Sequence, residues 1–314
     1  MQESPPRRLP DDAGATAFIA HRPDGPLDAA LSRTAGEAAA ALDIADPVKA
    51  VHELRKSFKQ LRALLRLVQY ARDKAAADQA RALRRALAQA ARLLAAARDD
   101  AARRDALDDL VAKGGLAPAL RGAAGRSLAP ARGRIRGTNA AETGLAPHRA
   151  ELELLLAQLI AALPALGGLS EKERLRALAA EYGRARRMAR RLDPADDEAL
   201  HELRKAVVAQ RYQMELLTPA WPALGAAWVG ELQRLRDRLG KHQDLSVLIA
   251  RIEAHAVLAR GQHSWRQPLV EAARARQLHL AGAALRLHAR LFAEKPAAFH
   301  RRIAAYMSAI SERK

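Results

Sequence analysis

The sequence has no cysteine, which removes disulfides, thiolate nucleophiles and cysteine-built zinc sites. Aromatic residues are only 4% of the chain, and the apolar side chains are mostly Ala and Leu. That balance disfavours β-sheet and offers few stacking platforms for single-stranded nucleic acid. It favours helices packed through small residues. No run is apolar enough to read as a membrane span: Leu152–Leu169, the most apolar, is interrupted by Glu153, Gln158 and Pro164. The N-terminal MQESPPRRLPDDAGA lacks an apolar centre and does not read as a signal peptide, so a cytoplasmic protein is expected. No HExxH, Gly-rich phosphate loop or GxSxG turn is present, so no catalytic centre and no cofactor are expected. Acidic residues are also short: 35 Asp and Glu stand against 53 Lys and Arg, for a formal net charge of +18. Only ten of the 53 cations are Lys. Arg offers a planar fork suited to bidentate phosphate contacts. The surplus implies a polyanionic partner, which could be nucleic acid, an anionic membrane or another phosphate polymer.

What the chain does have is a repetition. Val51–Val68 reads VHELRKSFKQLRALLRLV, and Leu200–Leu217 reads LHELRKAVVAQRYQMELL. On a helix, His52, Arg55, Lys56, Lys59, Arg62 and Arg66 fall in a sector about 120° wide. Leu54, Phe58, Leu61, Leu65 and Val68 fall opposite. In the second copy His201, Arg204, Lys205 and Arg211 form the basic stripe, with Leu203, Val207, Met214 and Leu217 on the apolar side. Like charges at i,i+3 and i,i+4 repel, and no acid of the same helix lies in the first stripe's sector. A solvated structural face ordinarily mixes signs. The repeated His-x-x-Arg-Lys therefore points to a binding surface.

These motifs resemble the CHAD family, the conserved histidine α-helical domain, whose pattern HxxRKxxKxxR occurs twice. The resemblance runs from about Leu27 to about Ile310. LGKHQDLSVL (Leu239–Leu248) agrees with a family stretch after the second motif, and AAARDDAARRDAL (Ala95–Leu107) is a looser counterpart after the first. Val208 departs from the pattern, standing where the family usually carries a cation. The resemblance implies an all-α fold of two antiparallel helical bundles related by an internal repeat, with a basic groove between them. It also implies non-catalytic binding of inorganic polyphosphate, with targeting to polyphosphate granules. The positions carried over are the motif residues above, with Arg85 and Arg92 after the first motif and Arg238 and Lys241 after the second. A nucleic-acid-binding basic helical protein is the second reading. No helix-turn-helix, zinc or RNP pattern supports it. A membrane-surface role ranks third, because the basic helices need their apolar faces for a core. No metal site is expected, since His52 and His201 lie among cations that would repel one. The two His either support the helix interface or donate to phosphate; both readings stand. Nothing sets an oligomeric state.

The expected organisation is a disordered tail over 1–26, a first bundle over 27–165 and a second over 166–314. Asp46 with Pro47 should start the first motif helix, and Ser170 with Glu173 forms a capping box. Helical runs are expected over Lys74–Asp99, Ala101–Lys113, His148–Leu163, Glu171–Leu192, Trp228–Ala259 and Trp265–Phe292, with a stop at Gly114-Gly115. Leu116–Pro147, rich in Gly, Pro and Arg, reads as a flexible connection or broken helix, with Arg132, Arg134 and Arg136 in a basic loop.

Overall fold

The computed structural model describes residues 25–94, 99–128, 145–166, 168–258 and 263–311. Most of the expected tail, and the Arg132–Arg136 loop, lie outside these residues. The described residues are all-helical, as expected, with no strand among them. Five helices precede the centre of the chain: α1 (Pro26–Ala41), α2 (Pro47–Val68), α3 (Lys74–Leu93), α4 (Asp99–Ala112) and α5 (Pro118–Ser127). Six follow: α6 (Arg149–Leu166), α7 (Glu171–Met188), α8 (Asp197–Glu215), α9 (Pro222–Leu258), α10 (Arg266–Leu291) and α11 (Pro296–Ser311).

The starts of these helices follow their sequence signals. Asp46 accepts from the amides of Val48 and Lys49 at 2.9 and 3.2 Å, with Pro47 in the first turn of α2. Asp196 accepts from the Ala199 amide at 2.9 Å to start α8. Ser170 and Glu173 complete the capping box of α7. Each satisfies amides that have no partner within the helix. Gly114 ends the α4 turn at a φ of 71°, a conformation that only glycine adopts without strain. Leu116–Pro147 reads as a flexible connection or a broken helix, and a short helix, α5, occupies its described first part. α6 continues through Pro164, where the sequence suggests a boundary, to Leu166.

The motif helices α2 and α8 pack against each other. Ala63 of α2 meets Ala209 and Tyr212 of α8, with Val208 packed on the same contact. Gln213 of α8 donates to the Ala63 carbonyl at 2.9 Å. Small residues at the crossing let the helices approach closely. Around them, one large core takes in the apolar faces of α1–α3, α6–α8 and α11 with parts of α9 and α10. Leu54, Phe58, Leu61 and Leu65 are all fully buried there, on the opposite side of α2 from its cations. Burial of each such side chain contributes about 1.5–3 kcal/mol, so the apolar face anchors the helix and leaves the basic face available for binding. A second, separate core joins Leu107 and Leu110 of α4, and Ala124 of α5, to Leu248 and Ile252 of α9 and Leu269 of α10. The chain thus places α4–α5 on helices that come much later in sequence.

α10 also carries a titratable core residue. His288 is buried, stacks on Phe292 at 4.3 Å and donates Nε2–H to the Ala185 carbonyl of α7 at 3.1 Å. Burial pushes its pKa down from 6.5 to about 4. The folded protein therefore holds His288 neutral where the unfolded chain is protonated, so stability falls as the pH drops from 6.5 to about 4. The loss attributable to this group is on the order of 3 kcal/mol. A His288→Gln variant keeps a donor and cannot titrate. Its melting temperature should change less than the wild type's across that window; parallel pH profiles would refute the assignment.

Candidate functional site

Three helices bring an arginine cluster together: Arg62 and Arg66 from α2, Arg84 and Arg92 from α3, and Arg184 from α7. One carboxylate, Glu181 of α7, sits among them. Arg66 binds it with both Nε and Nη2, at 2.6 and 3.0 Å. Tyr70 donates to it at 2.9 Å, and Arg184 Nε lies 3.4 Å away. The Glu181 side chain is only 2% exposed, against 21% for Arg66 and 29% for Arg184. Burial raises the Glu181 pKa, but hydrogen bonding to Arg66 and the Arg66 and Arg184 charges outweigh it and hold the carboxyl below 4.5.

The cations are in excess over this one acid, and they act on one another. Burial pushes the Arg84 guanidinium down to about 10, with Arg66 and Arg62 adding to the effect. Burial also lowers Arg62, followed by the charges of Arg92 and Arg66. The Nε of Arg84 is buried and has no hydrogen-bond partner among the described residues. Leaving such a donor unmade costs about 1–3 kcal/mol, more for a charged group. The arrangement therefore collects positive charge and an open donor where an anion would satisfy both.

The other positions on the first motif are distributed around this cluster. Arg55 of α2 donates Nη1 to the Ala91 carbonyl near the end of α3, at 2.9 Å. His52 and Lys56 are exposed, and Lys56 pairs with Glu53 at 3.0 Å. Lys59 is half-buried. Arg85 is exposed on α3, as is Arg92.

In the second motif, Arg204 lies against α9. A side-chain carbon built on Gly240 would stand 3.6 Å from its Nε. Ala91 and Gly240 lie at the same separation, 36 residues, from Arg55 and Arg204. Lys205 pairs with Glu202, and Arg211 pairs with Glu215 while stacking 4.1 Å over Tyr212. His201 is half-buried, and its Nδ1 has no partner among the described residues. Burial lowers its pKa, with the Lys205 and Arg204 charges acting the same way. Val208, the departure from the pattern, is half-buried in the α2–α8 contact.

Arg238 of α9 lines a cleft with Arg234, Arg286 and Arg290. Lys241 is held differently. It binds Asp109 of α4 at 2.6 Å, and Arg276 of α10 binds the same carboxylate at 2.9 Å.

Arg84 and Arg184 are the cluster residues that the motif pattern does not single out. Both stand in arginine-bearing stripes, Arg84 beside Arg85 and Arg184 in α7, and those stripes are the available signal. Glu181 lies at i,i+3 from Arg184 on α7, but its pairing with Arg66 of α2, like that of Asp109 with Lys241 and Arg276, crosses between helices and is invisible to a single-helix projection.

Comparison with known proteins assigns this architecture. Among the solved structures, PptA from Streptomyces chartreusis is similar, with a TM-score of 0.58 and 21% sequence identity. The match covers 87% of this chain and all of that one, and at this identity it speaks for the fold alone. No curated protein matches significantly. A family model, the CHAD domain, matches residues 26–253 and includes both motif helices. With its repeated His-x-x-Arg-Lys helices packed at the centre of an all-α fold, the chain belongs to the CHAD domain family.

Proposed function

We propose that the protein is a non-catalytic binder of inorganic polyphosphate. The observation that carries this reading is the run of Arg92, Arg62, Arg66, Arg84 and Arg184 across α2, α3 and α7, in which Glu181 answers Arg66, Arg84 and Arg184. Five guanidinium groups, each repelled by at least one other, with Glu181 as the acid among them in the described residues and an open buried donor on Arg84, form a site for a dense, thin anion. Family membership supports phosphate polymer over other polyanions. On this reading the two motif segments belong to two bundles related by an internal repeat. The anion lies along the groove between them, and the equal spacing of Arg55 to Ala91 and Arg204 to Gly240 supports that relation. The protein works in the cytoplasm, at polyphosphate granules.

The reading is tested by competition at about 0.15 M salt, where surface charge is screened over roughly 8 Å. Long-chain polyphosphate should displace double-stranded DNA and RNA at equal phosphate concentration. Affinity should fall steeply with added salt, because binding releases condensed counterions. Polyphosphate incubated with the protein and Mg²⁺ or Mn²⁺ should keep its chain length. Displacement of polyphosphate by DNA or RNA would instead favour the nucleic-acid reading, and protein-dependent orthophosphate release would refute the non-catalytic one.

A further inference from the structure

Several acids that meet a motif cation stand close to it on the same helix. Glu53 holds Lys56, Glu202 holds Lys205 and Glu215 holds Arg211, each from three or four residues away. Such an acid stays within reach of its partner whatever the rest of the fold does. Glu181 holds Arg66 from another helix, but α7 is built into the same large core as α2. Asp109 is placed differently. It lies 132 residues before Lys241 and 167 before Arg276, and it binds both, at 2.6 and 2.9 Å.

The helix pair that carries Asp109 is fastened separately from the motif helices. No residue of α4 or α5 contributes to the large core. The pair sits on α9 and α10 through its own smaller core. The side chains of Asp109 and Arg276 are only 12% and 14% exposed, so their contact is largely shielded from water and salt, while Lys241 reaches solvent. Burial would raise the Asp109 carboxyl, but hydrogen bonds from Arg276 and Lys241, and then their charges, hold it below 3.8. It is therefore an anion at neutral pH. Lys241 directly follows Gly240, the residue at which α9 meets Arg204 of the second motif helix. A carboxylate from a separately cored helix pair thus occupies cations one residue away from the motif contact.

We infer that Asp109 is a built-in competitor for the polyanion: the docking of α4–α5 and the use of Lys241 and Arg276 by phosphate exclude one another. Carboxylate and phosphate oxygens call for the same charged donors. When phosphate takes them, Asp109 is displaced, and only the small apolar core still holds α4–α5. Linkage makes the effect mutual: a bound polymer loosens the helix pair, and a docked pair weakens the polymer by the same factor. The inference rests on the reading that phosphate polymer binds the motif helices, and it adds a means by which the fold restrains that binding.

Two measurements test it. Asp109→Asn should tighten long-chain polyphosphate on the order of tenfold, within the roughly 5–150-fold range of ordinary coupling. Asp109→Glu keeps the carboxylate and should bind close to the wild type. Asp108→Asn removes the same charge from the preceding residue, an exposed acid paired with Arg121 of α5, and should change affinity less than about twofold. Peptide-resolved hydrogen exchange on the wild type gives the second readout, which does not depend on any variant folding. Saturating polyphosphate should lower protection of the α4 and α5 amides by about the same tenfold while raising it in α2 and α8. Equal affinities for Asp109→Asn and Asp108→Asn, or α4–α5 protection that holds or rises on binding, would overturn the inference and leave the earlier reading in place. A wild type that binds no polyphosphate would overturn both.

Discussion

Replacing Arg62 and Arg84 by Ala should weaken long-chain polyphosphate binding by about 10²–10⁴-fold without lowering the melting temperature. Each charge-assisted hydrogen bond to phosphate is worth about 1.5–3 kcal/mol, and about 1.4 kcal/mol is a factor of ten. Both guanidinium groups are pushed down by burial and by their neighbours, so each is held at a cost that a bound anion would relieve. Their removal relieves repulsion in the free protein, and the buried unpartnered Nε of Arg84 disappears with it. Stability should therefore stay level or rise. The salt dependence of binding should flatten by about 0.7–0.9 in log–log slope for each phosphate no longer neutralised, the values found for nucleic acids. Arg81→Ala serves as a control, because Arg81 pairs with Asp78 within its own helix at 2.6 Å. It should change affinity less than about twofold. Equal losses in the control and the double variant would show that overall charge, not this cluster, does the binding.

Glu181→Ala should have the opposite character: a large loss of stability with a gain in response to ligand. Removing one partner from a buried ion pair typically costs about 3–5 kcal/mol, because the other charge stays behind unpaired. Here two arginines and the Tyr70 hydroxyl lose their acceptor together. Total stabilities are about 5–15 kcal/mol, so the variant should melt far below the wild type. Polyphosphate should then restore it, raising its melting temperature by more than it raises the wild type's, since phosphate oxygens would replace the missing carboxylate. Glu181→Gln should be milder, because the amide oxygen still accepts from Tyr70. Acid should imitate the variant. The Glu181 carboxyl is held below 4.5, so its contribution is present above the unfolded value and is lost as the pH falls through the folded one. A Glu181→Ala protein that melts with the wild type would show that the carboxylate is not what holds the cluster.

The division between what is legible in the sequence and what is not follows the range of the interactions. Asp46 and the Ser170–Glu173 box act within a few residues, and each does in the structure what its local pattern predicts. The apolar and basic stripes of α2 also face as projected, because helical periodicity fixes direction. Pairing across helices is hidden. Arg66 reads as one more stripe cation, yet its partner stands 115 residues away on α7. Lys241 looks equivalent to other stripe cations and is engaged by Asp109 of α4 instead. Val208 reads as a missing charge. Its packing with Ala63, Ala209 and Tyr212 shows why an apolar residue suits the position. Proline also misleads: Pro164 suggests a helix end, but α6 passes through it for two more residues.

The packing of α4–α5 on α9 and α10 has a consequence for how the protein is made. Leu107, Leu110 and Ala124 share a core with one another, but the rest of that core comes from α9 and α10, whose last contributing residues lie roughly 150 positions downstream. At a ribosome's pace of about 5–20 residues per second, the cover of those side chains stays incomplete for on the order of 10–30 s after they emerge. The motif helix α2 and its neighbours α1 and α3 have no such delay among themselves. Synthesis thus passes through a stage in which the first helices have gathered while a greasy helical pair hangs uncovered beside them. A nascent chain stalled before α9 is the species in which chaperone capture, or aggregation through that exposed pair, should concentrate.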